Sequence, residues 1–124
     1  MATVTVRPLA GDLPFGARIT GVTIDSAKDA EVRKQINEVF ADRGMIVFEG
    51  MDPTNSMQVA LSEAFGELED HALSDVPMAD DEIRGMTDFT YEDIFEIDGE
   101  EITGHVPWHF DACYTDKLNR GGIL

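Results

Sequence analysis

Trp108-His109-Phe110-Asp111 places an imidazole and a carboxylate two residues apart, and residues 106–114 around them read as a β-strand. Side chains alternate across a strand, so the strand reading puts His109 and Asp111 on one face and Phe110 on the other. Two such ligands on one face, with room for a third from elsewhere, begin a mononuclear iron(II) site of the two-His-one-carboxylate type. No histidine follows Asp111 before Leu124. A His-x-Asp pair is a weak motif alone, because the chain is rich in Asp. The plain alternatives are a half-buried histidine bonded to a backbone carbonyl, a turn or cap aspartate, and a core tryptophan at Trp108.

The two other histidines have similar double readings. His71 stands five residues past Gly66, where a helix gives way to an acidic loop. It is either a solvated loop residue or an N–H donor to an anionic substrate group. His105 lies four residues before His109 and is either a support behind the ligand, a substrate contact or a residue with no role in the site. Cys113 has the strand parity of His109 and Asp111, although a small apolar role suits it better.

Outward from this stretch, the chain alternates strand and helix. Residues 3–7 alternate Val4 and Val6 with polar neighbours and predict a strand. A Gly- and Pro-rich turn over 8–16 leads to a second strand over 17–24, with Ile19 buried. The spacing of Val32, Ile36, Val39 and Phe40 predicts a helix over 29–43, with Ser26 and Asp29 as its capping box and Gly44 as its stop. Met45-Ile46-Val47-Phe48 reads as a short buried strand. Thr54 caps a second helix whose apolar face is Met57, Ala60, Leu61, Ala64 and Phe65, ended by Gly66. Residues 67–82 are an acidic loop and 83–89 a further strand. Residues 94–103 predict a hairpin turning at Asp98-Gly99 in a type I′ turn. As a calcium loop the same stretch fails, because Ile94 and His105 would occupy carboxylate positions. The pattern is α+β.

Composition sets the outer limits. The 124 residues fit a single small domain, and 43% hydrophobic content suits a folded chain. Twenty-five acidic against nine basic residues give a net charge of -16, which disfavours nucleic acid as a partner. It favours either simple solubility or an acidic surface that docks on a basic partner. One cysteine permits no internal disulfide and predicts a reducing, cytoplasmic setting. No apolar run has the roughly 20 residues that span a bilayer.

Three stretches together resemble the N-terminal part of the TauD/TfdA family of iron(II)- and 2-oxoglutarate-dependent dioxygenases. The first runs from Pro8-Leu9 through Phe15-Gly16-Ala17-Arg18-Ile19-Thr20-Gly21-Val22. The second runs from Phe40 through Arg43-Gly44-Met45-Ile46-Val47-Phe48 to Phe65-Gly66-Glu67-Leu68. The third is Trp108-His109-Phe110-Asp111, the counterpart of the family's Trp-His-x-Asp.

The resemblance implies a double-stranded β-helix, or jelly-roll, fold with two helices on a mainly β core. Residues 1–124 would be one incomplete domain. It implies that His109 and Asp111 are iron ligands and that His71 contacts an acidic group of the substrate. His105 stands near the substrate where taurine dioxygenase has Asn, a departure that points away from taurine itself. Phe110 replaces the common Ser or Thr, and Ala112-Cys113-Tyr114 also departs from the family pattern. The second histidine ligand, the Arg that binds 2-oxoglutarate and its supporting Thr are expected beyond residue 124. Fe(II), 2-oxoglutarate and O2 would therefore serve the full-length form, acting on a small anionic substrate of the sulfonate or aryloxyalkanoate kind, with a homo-oligomer as one assembly. The truncated chain alone is expected to be inactive. The competing expectation is a non-catalytic acidic interaction protein or a gene remnant.

Overall fold

The computed structural model describes residues 4–69, 94–103, 108–110 and 115–124. These divide into two compact units, Met1–Glu67 with Gly121–Leu124, and Leu68–Arg120.

The first unit is a three-stranded sheet with helices. Strand β1 (Thr5–Pro8) pairs antiparallel with β2 (Ala17–Thr20), and β2 pairs parallel with β3 (Ile46–Glu49). A parallel pair needs a long crossover, and helix α1 (Ala30–Arg43) supplies it after a 3-10 turn over Ser26–Lys28. Helix α2 (Asn55–Ser62) follows β3.

Strand β2 shows how the sequence pattern becomes a layer. Ala17 and Ile19 are buried, whereas Arg18 and Thr20 are half-buried. The buried members join Val22, Ala27, Val32, Ile36, Met57, Ala60 and Leu61 in the core, with Val39, Phe48, Phe65 and Ile123 packed around it. The predicted apolar stripes of both helices thus supply residues to this core, with α1 against β2 and β3 and α2 against the 3-10 turn. Phe40 and Phe65 meet edge to face at 5.1 Å, a favoured aromatic geometry.

Local signals explain most element boundaries. The Asp29 carboxylate accepts hydrogen bonds from the N–H groups of Glu31 and Val32 at 2.9 and 3.2 Å, so Asp29 itself is the N-cap of α1. This corrects the expected capping box of Ser26 and Asp29. Ser26 instead closes a reciprocal pair with Thr23, each backbone N–H meeting the other's hydroxyl oxygen. Gly44 ends α1 at φ 73°, and its N–H donates to the Phe40 carbonyl. Thr54 caps α2 through the N–H of Met57, as expected. Helix α2 stops at Ser62 rather than at Gly66, because the next turn tightens to bonds three residues apart from Ala64 to Leu61 and from Phe65 to Ser62. The second strand stops at Thr20 rather than residue 24, since both neighbours end their pairing there, at Thr5 and Glu49.

On the other face of the sheet, register brings three charges together. Arg7 stands directly opposite Arg18, a like-charge pair that destabilises a ladder by itself. Glu49 lies on the neighbouring strand and accepts hydrogen bonds from both guanidinium groups. The Arg7 hydrogen bond, followed by that of Arg18, holds the Glu49 carboxyl below its ordinary value of 4.5. Arg18 also donates to the Leu9 carbonyl at 2.8 Å, tying the preceding loop to the sheet.

A second tie joins α1 to the turn that follows α2. The Asn37 side-chain amide donates to the Ala64 carbonyl at 2.7 Å and to the Arg33 carbonyl at 2.8 Å. Near the end of the chain, Gln58 donates to the Ile123 carbonyl at 3.2 Å, and Gly121 lies close enough to Phe40 that a Cβ there would stand 3.3 Å from the ring.

The second unit contains a hairpin of β4 (Ile94–Ile97) and β5 (Glu100–Thr103). Asp98 and Gly99 have φ of 54° and 82°, as a type I′ turn requires. The register sets Glu96 opposite Glu101. The expected strand over 83–89 lies outside the described residues. The small α+β architecture is compatible with part of a TauD-type fold, and the described strands form one three-stranded and one two-stranded sheet. Among the described residues, no helix is long and apolar enough to cross a membrane.

Candidate functional site

The motif stretch belongs to the second unit, and its described part is Trp108–His109–Phe110. These residues form a bend and irregular backbone, not the strand expected over 106–114. A strand needs a ladder partner, and the described strands of this unit, β4 and β5, pair with each other. The alternation argument for a shared face therefore does not apply at Trp108–Phe110.

Exposure gives a second correction. Trp108 was expected in a core, yet it is fully exposed, with Phe110 at 85%. A tryptophan contributes to stability by removing its large apolar area from water, and that contribution is not made here. His109 is exposed as well.

Of the expected site residues, only His109 is described. Asp111, His71 and His105 lie outside the described residues, as does Cys113. Among the described residues, no group of three or more His, Cys, Asp or Glu side chains is arranged to hold a metal ion. The chain's stretch after the motif is anchored locally. Thr115 donates from its hydroxyl to the Lys117 carbonyl at 2.5 Å, and Lys117 Nζ reaches Glu69 Oε1 at 3.5 Å. Lys117 is well exposed, so this ion pair contributes little.

The donor chemistry sets what the motif can do. An imidazole nitrogen and a carboxylate oxygen both suit iron(II). The net charge of -16 favours cations over anions near the chain.

Comparison with known proteins supplies the context that the exposed motif lacks. The family model for the taurine catabolism dioxygenase TauD, TfdA family matches residues 5–124. An (S)-phenoxypropionate/alpha-ketoglutarate-dioxygenase of Delftia acidovorans is 23% identical, over 98% of this chain and 41% of its own length. An alkylsulfatase of Acinetobacter baylyi is 28% identical, over 96% of this chain and 34% of its own length. The chain thus spans well under half the length of these two relatives. No solved structure matches it significantly. With the match running through all three motif stretches and the His-x-Asp pair inside it, this chain belongs to the TauD/TfdA family.

Proposed function

We propose that these 124 residues are one incomplete domain of an iron(II)- and 2-oxoglutarate-dependent dioxygenase, and that they provide two of its metal ligands, His109 and Asp111. The observation that carries this reading is the family match over residues 5–124, which includes the Trp-His-x-Asp stretch. The third ligand and the Arg for 2-oxoglutarate come, in this reading, from outside the 124 residues. The greater length of both relatives supports that division.

With 2-oxoglutarate bound, the iron would supply O2-dependent oxidation of a substrate C–H bond, coupled to conversion of 2-oxoglutarate to succinate and CO2. The two ligands from this chain would fix the metal and offset part of its charge through Asp111.

The proposed substrate class is a small organic anion. The names of the two relatives point to an aryloxypropionate and an alkyl sulfate. His71 and His105 are the proposed contacts, because an imidazole donates an N–H and carries positive charge near neutral pH. A cytoplasmic location is proposed with it, supported by the single cysteine, Cys113.

The test uses the intact protein under anaerobic conditions. Adding iron(II) and 2-oxoglutarate should produce a metal-to-ligand charge-transfer absorbance, and admitting O2 with an alkyl sulfate or aryloxypropionate should yield succinate. His109→Ala and Asp111→Ala should each lower succinate formation by more than the roughly 100-fold seen on loss of outer-shell partners, with the far-UV circular dichroism unchanged. The 124-residue chain alone should give no such absorbance. Unaltered turnover in both variants would overturn the ligand assignment, and salt-sensitive binding of a basic protein in its place would favour an acidic docking role.

A further inference from the structure

We draw no further inference here: the strongest candidate, the exposed aromatic patch of Trp108 and Phe110 flanking His109, belongs to the site already described and nothing in the structure shows what covers it.

Discussion

Asn37 ties α1 to the turn that follows α2, and replacing it separates hydrogen-bond donation from packing. Its amide nitrogen donates to the carbonyls of Arg33 and Ala64, while its Oδ1 is buried with no hydrogen-bond partner among the described residues. Asn37→Ala removes both donations and leaves the Ala64 carbonyl without this donor. A lost net hydrogen bond costs about 0.5–1.5 kcal/mol and an unsatisfied buried acceptor about 1–3 kcal/mol. Removing the unpartnered Oδ1 gives some of this back, so a net loss of about 1.5 kcal/mol is expected. Asn37→Asp keeps the shape but points a carboxylate at two carbonyl oxygens. Its expected cost is about 3 kcal/mol, the lower end for an uncompensated buried charge, because the side chain is only partly enclosed.

Urea unfolding followed by circular dichroism reads both variants. With a slope of about 1.5 kcal/mol per molar, the midpoints should fall by roughly 1 M and 2 M. The aspartate variant carries a further signature in pH. Repulsion raises the folded-state pKa of the introduced carboxyl above its unfolded value. Its penalty is therefore absent below the unfolded pKa and grows as pH rises through the folded one. An aspartate variant as stable as the alanine variant at neutral pH, or one whose deficit is the same in acid, would refute the account of Asn37 as a double donor.

Three further outcomes are expected. Leu61→Ala, at a fully buried position, should cost about 2–5 kcal/mol in the same unfolding assay, and a loss below 1 kcal/mol would place Leu61 outside the core. Glu49→Gln should flatten the acid limb of the stability–pH curve: the folded carboxyl titrates below 4.5, so its contribution is present above that pH and fades as pH falls through the folded pKa. A wild-type acid limb in that variant would remove Glu49 from the account. Thr54→Ala should lower stability by about 1 kcal/mol through loss of the bond to the Met57 N–H, with Thr54→Ser largely retaining it.

Elements governed by neighbours in the chain were legible from the residues alone. The apolar stripe at Val32, Ile36 and Val39, the cap at Thr54, the left-handed stop at Gly44 and the Asp98-Gly99 turn each depend on contacts within a few residues. The misreadings sit where two local options compete or where a partner is distant. Asp29 caps α1 with its own carboxylate and leaves Ser26 to Thr23. The stretch around His109 has strand composition, yet strand geometry requires a neighbouring chain segment to accept and donate its backbone bonds.

The residue types and their order determined the family and named the candidate ligands, because chemistry such as an imidazole two positions from a carboxylate is written in one dimension. Only the tertiary structure decided that β3 lies parallel to β2, that Glu49 bridges Arg7 and Arg18, that Asn37 joins α1 to the turn after α2, and that Trp108 meets solvent. Those outcomes join groups dozens of residues apart or depend on what covers a surface. Burial and long-range pairing are properties of the packed chain, and no short window of residues contains them.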